Sequence, residues 1–525
     1  MSTTAAPPQP TLPSRPAVPR GFAALIGVPA VGAALGVGHL VAALVSPASS
    51  PYLAVGDTVI RFSPQWLTEF AKVTFGTADK PILLAGMGVA IAILGAGAGI
   101  ASRHRSTPGV VVVTVLGVLG FLAVIFAPVF TAVDLVAPAV SLAAGIVVFR
   151  QLHTHALGIE APPSGGGVSR RSVLIGSSAA VGAVSLGAGV GGVLLGGGSG
   201  SSRQLVTDRL ARATLAERAP AIPAGAAFPE LGTPTFLTPN AEFYRVDVAL
   251  RIPTQAASEW TMRVHGMVDD ELTLTFDDLL ARPLLERTIT LTCVSNEVGG
   301  RYISTTNFVG VDLREILLEA GIRPGADQLV STSLDQWTAG TPLDVIMEPG
   351  RGALLAIGMD GEALPPEHGF PVRMVVPGLY GFVSATKWLT DLDVTTFDAR
   401  QTYWLQRGWG RLAPIKTQSR IDSPQAFATV PAGRVPVAGI AWSQPDGIGK
   451  VEVRADGGAW QEAELATEVS GVTWRMWRVG LDLLSGSHTV QVRATDRNGV
   501  MQPEVRVAPI PDGATGWQSI ICTAY

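Results

Sequence analysis

The chain of 525 residues predicts three architectures in succession: a bundle of membrane-spanning helices, an α+β domain and an all-β sandwich. Long runs of Gly, Ala, Val and Leu with almost no charge occupy the first two hundred positions, each close to the roughly 20 residues that cross a hydrocarbon core. After residue 230 the composition becomes that of globular domains, with strand-like and helix-like segments mixed and no repeated βαβ spacing, which favours α+β over a doubly wound sheet. Beyond Arg420 the pattern changes to short strand-like segments separated by Gly-containing turns, the pattern of a sandwich.

Residues 1–20, rich in Pro and Ala, read as a disordered cytoplasmic tail. Spans are expected near 21–45, 81–100, 109–130, 132–149 and 172–196, five in all, within a membrane region 21–196. Basic residues set the orientation. Arg15 and Arg20, the Arg103-His104-Arg105 loop, and Arg150, Arg170 and Arg171 fall on one side if the helices alternate, and that side is cytoplasmic. The rest of the chain is then extracytoplasmic, anchored to the cell membrane. Between the first two spans a short interfacial helix is expected over Ser63–Phe75, with Trp66 and Phe70 as anchors. Ser169-Arg170-Arg171-Ser172 before a weakly apolar span resembles a twin-arginine export signal placed internally. Such export moves folded domains already carrying a cofactor.

Residues 197–230 have the Gly/Ser and Ala/Pro composition of a linker. In the α+β domain, taken as 231–410, strands are expected at Glu259–Val264, Arg287–Cys293, Gln328–Ser333 and Val372–Val376, and helices at Phe276–Leu280 and Leu313–Ala320. In 411–525 the strands Val435–Trp442, Lys450–Arg454, Arg475–Val479 and Thr489–Thr495 suggest an immunoglobulin-like sandwich. A net charge of −4 gives no reason to expect nucleic acid. Two cysteines build neither a disulfide framework nor a zinc array.

One of the two, Cys293, ends an apolar β-branched stretch and precedes Gly299-Gly300, so it sits at a strand end where backbone can approach a large ligand. From the residues alone it could ligate a metal, fill a core or pair with Cys522.

Several separated segments resemble the sulfite oxidase family of molybdopterin oxidoreductases over about 235–525, in the family's order. They are Asn240-Ala241-Glu242-Phe243-Tyr244-Arg245, Leu291-Thr292-Cys293-Val294-Ser295-Asn296, Leu364–Arg373 with its Pro366-Glu367-His368-Gly369, and Gly381–Trp388. In the last domain Val437–Trp442 and Val492–Asp496 resemble the family's immunoglobulin-like module, which is often involved in dimerisation. The resemblance implies a molybdenum–molybdopterin cofactor, with Cys293 as metal ligand and catalytic residue. It implies cofactor contacts from Asn240, Tyr244, Arg245, Ser333, His368, Arg373, Ser384, Thr386 and Lys387. The chemistry of these residues agrees. A thiolate suits a high-valent metal already held by sulfur, and Arg373, His368 and Lys387 can hold a phosphate.

The resemblance further implies two-electron oxygen-atom transfer on a small molecule, an electron-transfer partner and a homodimer. The rival readings are a reductase of S- or N-oxides or oxidised methionine, and a metal-free scaffold that keeps the fold. Where animal and plant members carry a substrate-binding arginine shortly after the cysteine, this chain has Glu297. A carboxylate there would repel sulfite, so sulfite is not carried over. His39 is the one clearly intramembrane histidine, whereas a bis-histidine haem needs two facing ligands. The bundle therefore reads as an anchor or a docking site for a separate redox partner rather than a haem carrier.

Overall fold

The structure is a computed structural model that describes residues 18–158 and 200–525, apart from 46–48, 65–66, 68–69, 72–73, 76–77, 128–129, 249 and 251. The expected fifth span, together with Arg170 and Arg171, lies outside the described residues. The chain divides into two compact units, Met1–Gly198 and Ser199–Tyr525.

The described part of the first unit is helical: α1 Arg20–Val45, α2 Pro51–Phe62, α3 Asp79–Ala101, α4 Thr107–Ile125 and α5 Val136–Gly158. Four helices, over 20–45, 79–101, 107–125 and 132–156, are long and apolar enough to cross a membrane. Many of their large side chains face outward, Val89, Ile93, Val111 and Leu119 among them, as lipid-facing surfaces require. α1 and α3 approach through small residues: a Cβ on Gly27 would lie 1.7 Å from the Gly95 carbonyl oxygen, and one on Gly99 1.9 Å from that of Ala23. Two polar groups inside find backbone partners, Ser141 donating to the Ala34 carbonyl and a His153 ring nitrogen lying 2.7 Å from that of Ser102. His39 Nδ1 lies 3.3 Å from Ser50 Oγ.

The sequence did not single out helix α2, Pro51–Phe62; within the expected 63–75, the described residues Leu67, Phe70, Ala71, Thr74 and Phe75 are helical, and Trp66 lies outside the described residues. Pro51 is preset for a first helical turn. Pro64 disfavours helical backbone at Ser63, whose ψ is 136°.

In the second unit, composition predicted a connector up to residue 230, yet Gly200–Arg212 forms helix α6, with Val206 buried against the core. Arg203 anchors it, donating to the Ala363 and Leu364 carbonyls and pairing with Glu362 at 2.8 Å. The strands that follow are β1 Thr261–Gly266, β2 Leu272–Thr275, β3 Leu285–Thr292, β4 Ile303–Asp312, β5 Gln328–Ser333, β6 Thr338–Pro342, β7 Leu354–Met359, β8 Glu362–Ala363, β9 Arg373–Val375 and β10 Leu389–Thr395. One sheet has the order β2-β1-β10-β5-β6. The other has β3-β4-β7-β8, with β9 pairing β7. Helices Phe276–Leu280 and Leu313–Ala320 occupy the expected ranges; Thr275 and Asp312 cap them through their side chains.

The remaining strands are β11 Gln418–Ser423, β12 Thr429–Val430, β13 Gly433–Trp442, β14 Ile448–Ala455, β15 Gln461–Glu462, β16 Glu464–Leu465, β17 Arg475–Leu483, β18 Gly486–Asp496 and β19 Gln518–Ala524. They form two sheets, β11-β13-β17-β16 and β12-β19-β18-β14-β15, around a core that includes Val437, Trp477, Val492 and Cys522. A second core runs from the first pair of sheets into this region and takes in Ile440, Trp442, Trp474 and Met476. The two β regions therefore share apolar packing beside β3.

Candidate active site

β3 pairs antiparallel with β4, Leu285 opposite Gly310 through Thr292 opposite Ile303, and delivers Cys293 at its end. The Cys293 N–H donates to the Tyr302 carbonyl at 3.0 Å, and its carbonyl accepts from Asn296 N at 3.0 Å. Asn296 Oδ1 accepts from Tyr302 N at 2.9 Å, closing the loop. A Cβ at Gly300 would lie 2.5 Å from that oxygen, so the loop needs glycine there. The Ser295 N–H points at the sulfur, 3.4 Å away, a contact that favours thiolate. Cys293 forms no disulfide. Cys522 lies in β19 opposite His488, within the other core, which removes the pairing left open by the sequence.

Beside the thiol stands Tyr244. Burial pushes its hydroxyl pKa well up, and the Cys293 charge adds to this while Arg373 opposes it. Its N–H donates to Ser304 Oγ. Phe243, stacked on Tyr244, meets the His368 ring edge-on at 5.4 Å and Phe308 at 6.3 Å. A Cβ on Gly381 would sit 3.7 Å from the Tyr244 hydroxyl and 3.8 Å from the Thr292 carbonyl oxygen. Residues 240–244, 292–293 and 381 therefore converge.

His368, Arg373 and Lys387 lie together behind the tyrosine. Gly369, at φ +109°, permits it, because a Cβ there would come within 3.0 Å of Lys387 Cα and 3.1 Å of Arg373 Cβ. Arg373 is 4% exposed. Its Nη1 donates to the His368 carbonyl, its guanidinium lies 5.6 Å from the Phe308 ring centroid, and its Nε has no partner. Among the described residues no carboxylate pairs with it. Burial lowers its pKa to about 10. Burial, then the charges of Arg373 and Lys387, hold His368 down at about 3, so the ring is neutral near pH 7. Its Nε2, 3.2 Å from the Asn240 carbonyl oxygen, is then the protonated nitrogen that donates. Lys387 pairs with Asp247 at 3.1 Å and donates to the Glu367 carbonyl. Burial outweighs the Asp247 charge and brings it to about 8.

The other expected contacts are distributed differently. Asn240 donates to Glu362 Oε1 at 2.8 Å and to the Met359 carbonyl, while its Oδ1 is buried without a partner. Arg245 is bound to Asp247 and exposed. The Ser384 hydroxyl donates back to the Leu379 and Tyr380 carbonyls. Thr386 Oγ1 is engaged with Ser331 Oγ at 2.6 Å, and the Ser333 hydroxyl donates to Asp335. The three hydroxyls expected to bind a ligand thus satisfy the protein itself. Asp247, Glu362 and Tyr302, which the sequence did not single out, complete the cluster; they bear no motif, and Asp247 and Glu362 meet Lys387, Arg203 and Asn240 from far away in the chain.

The donor set fits an anionic, sulfur-bearing pterin. A thiol, a buried guanidinium with a spare Nε, and orphaned polar atoms on Thr292, Asn296 and Asn240 surround one region. The buried Arg373 and the largely buried Lys387 carry more charge than Asp247, which the exposed Arg245 also shares, neutralises. A buried cation excess calls for an anion.

Comparison with known proteins agrees. Residues 249–404 match the family model for the oxidoreductase molybdopterin binding domain, and 412–511 match that for the Mo-co oxidoreductase dimerisation domain. Mitochondrial sulfite oxidase of Rattus norvegicus is 32% identical over 330 residues, covering 54% of this chain and 60% of the relative. Sulfite oxidase of Gallus gallus is 30% identical over 331 residues, covering 54% and 71%. An NADH nitrate reductase of Solanum lycopersicum is 27% identical over 319 residues, covering 48% and 35%. The chain thus spans about 60% of the length of the mammalian relative. Among solved structures, the sulfane dehydrogenase SoxCD of Paracoccus pantotrophus superposes with a TM-score of 0.49 at 21% identity, over 58% of this chain and 88% of that one. The chain belongs to the sulfite oxidase family of molybdopterin oxidoreductases, and its cofactor is the molybdenum cofactor.

Proposed function

We propose that this protein is a membrane-anchored oxidoreductase that performs two-electron oxygen-atom transfer on a small molecule, with Cys293 as the protein ligand to molybdenum. The observation that carries this is the convergence of the Cys293 thiol and Tyr244 with a buried Arg373 that no carboxylate among the described residues neutralises. When bound, the molybdenum cofactor supplies the two-electron couple and the site of oxygen exchange. The chain's own residues do the rest. The Ser295 N–H steadies negative charge on the sulfur. Arg373 and Lys387 would hold the phosphate, and His368, kept neutral, would offer Nδ1 as an acceptor while Nε2 donates to Asn240. Tyr244 stays protonated beside the Cys293 thiol and would present a hydroxyl donor to a bound ligand. Asn240 Oδ1 and Asn296 Nδ2 are spare polar atoms for the pterin edge.

A neutral or basic substrate fits better than sulfite. Arg301, the nearest cation after the Gly-Gly pair, lies exposed and interacts with Asp422. Glu297 is exposed as well, so solvent screens its repulsion of an anion. The preference thus rests on the missing arginine more than on the carboxylate.

The four apolar helices support membrane anchoring. In this reading a fifth span covers 172–196, Arg103 to Arg105 face the cytoplasm, and the Arg170-Arg171 pair directs export of the loaded catalytic part. The paired sheets of 411–525 are read as an immunoglobulin-like module that joins two copies, after the cofactor domain 231–410. Electrons pass to or from a separate partner. Metal analysis of protein purified from a host that makes the cofactor tests the enzyme reading: molybdenum near one per chain is expected, and its absence rejects it. Protease protection in intact cells tests the orientation, since residues after 200 should be cleavable only from outside.

A further inference from the structure

β3, which carries Cys293, is the edge strand of its sheet. An open edge leaves backbone groups unpaired and the strand free to shift. Residues 216–217 cover the start of this edge, where Glu286 N donates to the Glu217 carbonyl at 2.9 Å, and the C-terminal β region closes the part next to the thiol. The Thr290 N–H donates to the Val472 carbonyl at 3.1 Å, and Trp474 N donates to Thr290 Oγ1 at 2.8 Å. Gln444, 4% exposed, completes the closure: its Nε2 donates to the Thr290 carbonyl at 2.8 Å, and its Oε1 accepts from Gly378 N at 3.0 Å. The amide is therefore fixed in one orientation by two backbone groups.

Those groups belong to the two segments that meet at the thiol. Thr290 is three residues before Cys293, and Gly378 is three before Gly381, whose open side faces the Tyr244 hydroxyl and Thr292. The same region grips the far end of the loop. Arg420 Nη1 donates to the Gly300 carbonyl at 2.9 Å, and a Cβ on Gly299 would strike Gln518 at 2.6 Å. Gly513 lies so close to the Tyr380 ring that a Cβ there would be 2.5 Å away.

We propose that the C-terminal module, beyond any part in dimerisation, is a structural half of the metal site, and that Gln444 is its positioning residue, holding β3 and the Gly378–Gly381 turn at a set separation. This rests on Cys293 being the molybdenum ligand. Without the amide, a buried carbonyl and a buried N–H lose their partners together, and a ligand loop relaxed by a fraction of an ångström is a misplaced ligand.

The test uses the full chain on a Cys522→Ser background, with Gln444→Leu, which removes both bonds, and Gln444→Glu, which keeps only the acceptor. In protein made without cofactor, Cys293 of both variants should be alkylated by iodoacetamide about tenfold faster than in the parent, because the loop opens more often. In cofactor-loaded protein the Mo(V) paramagnetic resonance should shift or broaden, and kcat should fall about ten- to a hundredfold. If Gln444→Leu does not accumulate, Gln444→Asn, shorter by a methylene, is read in its place. Parental alkylation rates together with a parental resonance in folded variants overturn the proposal. Faster alkylation in a protein whose parent never binds molybdenum leaves the brace standing and rejects the enzyme reading instead.

Discussion

Replacing Arg373 with Met separates ligand binding from folding. In the ligand-free protein no carboxylate among the described residues pairs with the buried guanidinium, and burial takes its pKa from 12.5 to about 10. At about 1.4 kcal/mol per pH unit, that shift corresponds to a penalty of roughly 3 kcal/mol for keeping the charge inside. Against it stand the bond to the His368 carbonyl, about 1–2 kcal/mol, and the stacking over Phe308, about 1 kcal/mol, for the contacts that hold the side chain. These terms nearly cancel. The Arg373→Met apoprotein should therefore unfold within about 1 kcal/mol of the parent, whereas breaking a true buried ion pair costs about 3–5 kcal/mol. Loaded protein behaves differently, because the cation is then opposite an anion. Retention of the cofactor should weaken about a hundredfold or more. The assay is denaturant unfolding of apoprotein from a cofactor-deficient host, alongside molybdenum retained through dialysis of loaded protein. A destabilisation of several kcal/mol in the apoprotein, or parental retention of molybdenum, would refute the argument that Arg373 awaits an anionic ligand.

Further outcomes follow from the same geometry. His368 has a folded pKa near 3, below the 6.5 of the free side chain, so its contribution to stability is complete above pH 6.5 and is lost as the pH falls toward 3. Apoprotein stability should drop by about 1.4 kcal/mol per pH unit more steeply in the parent than in His368→Gln over that window, and parallel curves would contradict this. Gly99→Leu should destabilise the helix bundle in detergent by about 1–3 kcal/mol or more, because its side chain meets the Ala23 carbonyl, whereas Gly97→Leu, with open space around it, should be nearly silent in the same melt. Arg203→Met removes the cation paired with Glu362, whose carboxylate also holds Asn240. Molybdenum retention should fall several-fold while the C-terminal region keeps its melting transition; unchanged retention would disconnect helix α6 from the site.

What the sequence disclosed follows from the range of the forces involved. Apolar runs are local and dense, so the helices over 20–45, 79–101, 107–125 and 132–156 stand close to their expected positions. Two strands also stand close to their expected ranges, β5 at Gln328–Ser333 and β13 at Gly433–Trp442, although both are buried along most of their length rather than alternating. Helix α6 was hidden because Gly200-Ser201-Ser202 is linker composition, and its stability comes from Arg203 and Val206 docking on distant residues. Small hydroxyls misled for a related reason. Ser384 and Thr386 sit in the right segments, but short side chains bond to nearby protein groups before they reach a ligand. The positions of Cys293, Tyr244, His368, Arg373 and Lys387 were readable as motifs. Asp247 and Gln444 were not, since their partners lie 140 and 154 residues away.

The central claim is that Cys293 places a protein sulfur on molybdenum. X-ray absorption at the molybdenum edge measures the sulfur neighbours of the metal directly, in loaded parent and in Cys293→Ser. The substituted protein should lose one sulfur scatterer from among the metal's nearest neighbours and gain a lighter one in its place. An unchanged sulfur shell in Cys293→Ser would contradict it.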